Sequence, residues 1–152
     1  MKKTVSLVLV LSMIAVAVIG FGTAANAQTL SNTEKALALI NTFATGDADM
    51  ARSLLAEDYI QHNLAYGTGA DAFVGSVEYL ASAEVKTTVN NIRAFEDGDK
   101  VFLQTIYNFA GAGEQVAFDI FRFDEDGKIA EHWDVMETIA EPSTWQNQNG
   151  KF

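Results

Sequence analysis

Hydrophobic residues recur with a helical period in the first part of the chain and alternate with polar ones from Val85 onward, so the two parts predict different elements. Ser31-Asn32-Thr33-Glu34 fits a capping box. Ala36, Leu39, Ile40 and Phe43 then fall on one helical face until Gly46, which suits a left-handed helix end. Asp47 can cap a second, shorter helix carrying Met50, Leu54 and Leu55 and ending near Glu57-Asp58. The run Tyr59 to Asn63 is too short to assign, and Gly67-Thr68-Gly69 breaks the chain before a third helix from Ala70 to Leu80. Beyond it, turn signals at Asp97-Gly98, Gly111-Ala112-Gly113 and Asp126-Gly127 divide four strands, Val85 to Glu96, Lys100 to Ala110, Gln115 to Phe123 and Lys128 to Glu137. Helices followed by an antiparallel meander predict an α+β domain with the helices on one sheet face. Strands this long bend readily, so the sheet can curl around an apolar pocket. The polar tail after Pro142 belongs on the surface.

The chemistry-bearing residues concentrate in the last hairpin. With Asp126-Gly127 as a two-residue loop, Arg122 opposes Glu131, Ile120 opposes Trp133 and Phe118 opposes Val135. Side chains alternate across a strand, so Asp119, Phe121 and Phe123 then share a face with Ala130, His132, Asp134 and Met136. Two carboxylates and an imidazole converge on a partly apolar surface. An odd-length loop would separate Asp119 from His132.

Composition narrows the setting. Lys2 and Lys3, the apolar stretch Val5 to Phe21 and the small-residue site Ala25-Asn26-Ala27 read as a signal peptide over residues 1–27, so the mature domain spans 28–152 and is exported to a periplasmic or secreted location. No stable membrane association is expected after cleavage. The chain has no cysteine, which excludes disulfides, thiolate metal sites and a Cys nucleophile. Without Lys2 and Lys3, eight basic residues face twenty acidic ones, a formal charge of −12. Such a surface repels nucleic acid and anionic membranes and leaves a small, weakly polar molecule as the expected partner.

Several segments together resemble a known family: Tyr59-Ile60-Gln61-His62-Asn63, then Gly69 and Phe73, then Asp119-Ile120-Phe121-Arg122, then Asp126-Gly127-Lys128-Ile129 running into Glu131-His132-Trp133-Asp134-Val135. The chain is similar to the SnoaL-like branch of the nuclear transport factor 2-like superfamily, and within it to predicted SnoaL-like aldol-condensation proteins. The resemblance implies a cone-shaped α+β fold, a homodimer and a pocket between helices and concave sheet. It also implies aldol-type acid/base chemistry with an Asp, without cofactor or metal. Leu64 departs from the family, where Pro commonly follows the Asn.

An aldol step needs a base for the proton beside a carbonyl and a donor for the enolate oxygen. Asp119 and His132 are the expected catalytic pair, with burial among Phe121, Phe123 and Met136 expected to raise the Asp119 pKa. Tyr59, His62, Asp134 and Phe121 are the expected substrate-binding residues, Asp134 serving also to orient His132. Trp133 is expected in the core opposite Ile120. Of Tyr107 and Asn108, on opposite strand faces, only one can face the pocket. A metal held by His62, His132 and an Asp finds no support in the spacing, so no metal is expected. The alternative to an enzyme is a pocket that binds a small ligand without turnover, or a dimeric interaction module.

Overall fold

The computed structural model describes residues 30–152, and the expected signal peptide over 1–27 with its cleavage before Gln28 lies outside the described residues. Three helices form as the polar signals dictate. Helix α1 spans Asn32–Thr45, with both halves of the Ser31/Glu34 capping box made and Gly46 ending it at φ 74°. Helix α2, Ala48–Leu54, is capped by the Asp47 side chain accepting from the Met50 N–H. Helix α3 runs Ala70–Ser82.

Five strands follow the order β1-β5-β4-β3-β2 in one sheet. They are β1 Leu55–Gln61, β2 Thr88–Asp97, β3 Lys100–Asn108, β4 Gln115–Phe123 and β5 Ile129–Thr138. The last four form the expected antiparallel meander. Strand β1 is an addition: the second helix ends at Leu54, not near Glu57-Asp58, and the chain turns straight into a strand parallel to β5. Its register slips between Leu55 and Ile60. Its burial therefore fails to alternate cleanly, which is why the sequence leaves it unassigned.

The β4–β5 hairpin corrects the expected two-residue loop while keeping the expected pairing. Gly127, at φ 70°, donates its N–H to Asp124 O at 3.0 Å, and Asp124 donates to Lys128 O at 2.9 Å, so Glu125, Asp126 and Gly127 all lie in the loop. The Asp124 carboxylate ties this loop by accepting from the Asp126 and Lys128 N–H groups. Such an odd loop alone would put Asp119 and His132 on opposite faces. A bulge after the Phe123–Ile129 pair supplies one more residue and restores the pairs Arg122–Glu131, Ile120–Trp133 and Phe118–Val135.

The helices cover the inner sheet face. Ala36, Leu39 and Ile40 of α1 and Val74 and Val77 of α3 pack in one cluster with Val101, Leu103, Phe121 and Ile129. Each fully buried side chain of that size contributes about 1.5–3 kcal/mol. The outer face keeps Phe95, Phe102, Phe118 and Val135 exposed. The tail from Pro142 is largely exposed, as its polarity predicts.

Candidate functional site

Between α1, α3 and the inner sheet face lies a cavity of about 470 Å³, within the range of small-molecule sites. A connected run of aromatic rings lines it. Phe73 lies 4.9 Å from Phe43, Phe43 meets Phe109 edge-on at 5.6 Å, and Phe109 stacks on Tyr107 at 5.0 Å between centroids. The run ends at the polar end of the cavity, where the Tyr107 hydroxyl donates to Asp119 Oδ2 at 2.9 Å.

The restored hairpin register builds that polar end. Asp119 pairs directly with Asp134, and Phe121 with His132. All four line the cavity. His132 stacks on the Phe121 ring at 4.5 Å and sets its Nε2 3.2 Å from Asp119 Oδ1. Both Asp119 and His132 are buried.

Strand β1 contributes the remaining polar groups. Its parallel pairing puts Gln61 beside His132, and Gln61 Oε1 lies 3.2 Å from His132 Nδ1. The same oxygen accepts the Asn63 backbone N–H at 2.9 Å, a bond only an oxygen can accept, so the amide orientation is fixed. His132 Nδ1 must then carry a proton and donate to Gln61. His132 thus bridges the Gln61 amide and the Asp119 carboxyl through its two ring nitrogens. Gln61 Nε2 spends one hydrogen on the Tyr59 hydroxyl at 3.2 Å and retains another.

Asp134 differs from Asp119 in what remains free. Asn63 Nδ2 donates to its Oδ1 at 2.6 Å, and among the described residues no hydrogen bond occupies its other oxygen. Burial raises the Asp134 pKa above its ordinary 3.8 and the neighbouring Asp119 adds to the rise, against the opposing effects of His132 and Asn63. Burial, and then the carboxylate of Asp119, likewise push the Tyr107 hydroxyl well above its ordinary value, so it stays a donor at neutral pH.

Three expectations about placement are corrected. His62 follows Gln61, so strand alternation turns it to the outer sheet face, where it stacks on Trp133 at 4.5 Å and bonds Glu131 Oε2 at 3.0 Å. It is not among the cavity-lining residues. The His62 bond, together with Arg122, holds the Glu131 carboxyl below its ordinary value. Trp133 opposes Ile120 as expected but is half-buried on that outer face, not in the core. Tyr59 is buried behind the wall, edge-on to Phe73 at 6.0 Å, and does not line the cavity. Tyr107 is the member of the Tyr107/Asn108 pair that faces inward. Gln61 and Asn63 are site residues that the sequence reading quoted without assigning a role.

Donor atoms of Asp119, His132 and Asp134 lie within 4.8 Å of one another, close enough to consider a cation. An ion held by all three would have to displace His132 from Asp119 or from Gln61. Among the described residues no fully buried side-chain nitrogen or oxygen lacks a partner, so Asp119 and His132 are satisfied within the protein.

The fold recurs in solved structures. A nuclear transport factor 2-like protein of unknown function from Cytophaga hutchinsonii aligns at 17% identity and TM-score 0.62, over 73% of this chain and 94% of that one. An epoxide hydrolase from M. tuberculosis, of the LEH-like type, aligns at 17% identity and TM-score 0.61, covering 70% and 82%. IdmH from Streptomyces antibioticus, a candidate polyketide cyclase, aligns at 18% identity and TM-score 0.57, covering 71% and 93%. At such identities these likenesses establish the shared α+β fold alone. No curated protein matches the chain. The profile of the SnoaL-like domain matches residues 36–132, well over half the chain, and the chain therefore belongs to the SnoaL-like domain family.

Proposed function

We propose that the cavity binds a small, uncharged, largely apolar carbonyl compound and moves a proton at the carbon beside its carbonyl. That step is common to aldol condensation and keto–enol isomerisation. One observation carries the reading: the Asp134 carboxyl, with one oxygen free of hydrogen bonds among the described residues, stands in a largely apolar cavity beside a chain of mutually satisfied polar groups. Among the described residues the cavity lining includes no Lys or Arg, which disfavours anionic substrates.

In this mechanism Asp134 takes the proton from the α-carbon, the C–H electron pair forms the new C=C bond and the carbonyl π pair moves onto the oxygen. The unspent N–H of Gln61 donates to that oxygen. The enolate carbon then attacks a second carbonyl, whose oxygen takes the proton held on Asp134, or Asp134 returns the proton at another carbon. Asp119 was the base expected from sequence. Its two oxygens are instead engaged by Tyr107 and His132, so the proposal gives it the role of holding His132 and setting the field around Asp134. No step uses a metal or cofactor.

Binding without turnover is the second reading, and one observation favours it: both His132 nitrogens are spent within the protein. Deuterium incorporation separates the two readings. Incubation in D₂O with β-dicarbonyl and polyketide-like compounds should give α-carbon exchange, followed by NMR, that is faster than in buffer and indifferent to a chelator. Exchange at the buffer rate across the panel leaves the binding reading, and exchange that depends on added metal overturns the mechanism.

We also infer a homodimer and export. The exposed Phe95, Phe102, Phe118 and Val135 of the outer sheet face support the dimer, and sedimentation at equilibrium tests it. The sequence of residues 1–27 supports export.

A further inference from the structure

Helix α3 presents Ala72, Gly75, Ser76, Tyr79 and Leu80 to the cavity, one face at helical spacing. Gly75 is anomalous among them. Glycine in a helix interior costs about 1 kcal/mol relative to Ala. Gly46 explains itself, since its φ is 74° and a Cβ there would meet Ala81 Cβ at 2.6 Å. Neither reason applies to Gly75, whose φ is not positive and whose added Cβ would meet nothing within 4 Å. The fold does not need a glycine at this position. What its missing side chain leaves is free space at the cavity rim, where the helix backbone can be approached closely.

We infer that Gly75 is a specificity-determining residue: a flat, uncharged ring of the ligand lies against the α3 backbone there. The inference rests on the reading of the cavity as a ligand site. Ser76 turns its hydroxyl back to Ala72 O at 3.0 Å, so this part of the helix offers an apolar surface despite the serine. Tyr66 and Tyr79 line the cavity yet are 51% and 74% exposed, which places two aromatic rings at its entrance. Aromatic rings stack favourably on flat partners. Among the described residues no Lys or Arg joins the lining, and with Asp119 and Asp134 inside it this sets the preference against a carboxylate or phosphate.

Three probes on one three-carbon ketone frame separate shape from charge: chalcone, its puckered counterpart 1,3-dicyclohexylpropan-1-one, and 4-carboxychalcone. Calorimetric titration of the unaltered protein should give chalcone the tightest binding, by roughly tenfold or more over each of the others. Gly75→Leu should weaken chalcone by roughly tenfold or more while its melting temperature without ligand stays level or rises, because Leu is the better helix former. A purely structural glycine would lose stability instead. Glu78→Ala, exposed on the same helix and outside the cavity lining, should change neither. If Gly75→Leu fails to fold, Gly75→Ala decides the matter, by keeping the fold and losing chalcone affinity. Undiminished chalcone binding in the folded Gly75 variants, equal binding of the puckered ketone, or no chalcone binding at all overturns the inference. The readout is binding, so a failure of proton exchange with chalcone selectivity intact would remove the catalytic mechanism and leave this inference standing.

Discussion

Tyr107→Phe removes a single oxygen, the one that anchors the Asp119 carboxyl. The hydroxyl donates to Asp119 Oδ2 at 2.9 Å, with Tyr107 2% and Asp119 3% exposed. A hydrogen bond to a charged acceptor nets about 1.5–3 kcal/mol, and water has no ready access to replace the donor. Urea denaturation followed by tryptophan emission should therefore register a loss of about 2–3 kcal/mol. At about 4 °C per kcal/mol for a domain of this size, the melting temperature should fall by about 8–12 °C. Asp119→Asn provides the control. The replacing amide can accept from Tyr107 and donate to His132 Nε2, so that variant should fold. In the double-mutant cycle the two changes should be non-additive by about 1–2 kcal/mol, the charge-dependent share of the bond. A Tyr107→Phe loss below about 0.5 kcal/mol with strict additivity would refute the bond and the polar network built on it.

Burial holds the Asp134 carboxyl above 3.8, so the folded state binds its proton more tightly than the unfolded chain. The stability this group contributes is present below its unfolded pKa and is lost as pH rises through the folded pKa, so Asp134→Asn should be more stable than the unaltered protein at neutral pH and lose that advantage in acid; a constant difference in denaturation midpoint across the pH range would contradict it. His62→Ala should leave ligand binding in the cavity unchanged and alter Trp133 emission, since His62 stacks on that ring across the sheet from the cavity. A loss of ligand affinity would return His62 to the site. Exported protein should begin at Gln28 by N-terminal sequencing, and recovery of an intact, membrane-bound Lys2-Lys3 segment would count against export with cleavage.

The legible parts of the fold were those set by local chemistry. The Ser31/Glu34 box, the Asp47 cap and strand β4 were readable because capping and alternation act within a few residues. Strand β1 was not, because acidic residues and a slipped register hide its alternation, and parallel pairing with β5 is a long-range fact. The loss of β1 also concealed the roles of Gln61 and Asn63. The meeting of Asp119 with His132 rested on counting loop residues. The count was wrong by one and the bulge beyond Phe123 cancelled the error, so only the pairing of Arg122 with Glu131 was a sound local guide. Tyr107 stayed ambiguous because its face depends on the irregular turn through Ala110, at φ 49°, and Gly111, which no counting rule covers. His62 and Trp133 were misplaced for one shared reason: their strand neighbours Gln61 and His132 take the inner face.

In the proposed mechanism Asp134 is the base and Asp119 the group that positions His132. Single-turnover α-carbon deuterium exchange, measured by NMR on a substrate from the β-dicarbonyl panel, tests it directly when run on Asp134→Asn and Asp119→Asn with chelator present. Asn retains shape but cannot take a proton, so Asp134→Asn should lose roughly 10²–10⁴-fold in rate at unchanged ligand affinity. Asp119→Asn should lose less and should shift the pH profile of what remains. Full exchange in Asp134→Asn, with the large loss falling on Asp119→Asn, would contradict the assignment and return the base to Asp119.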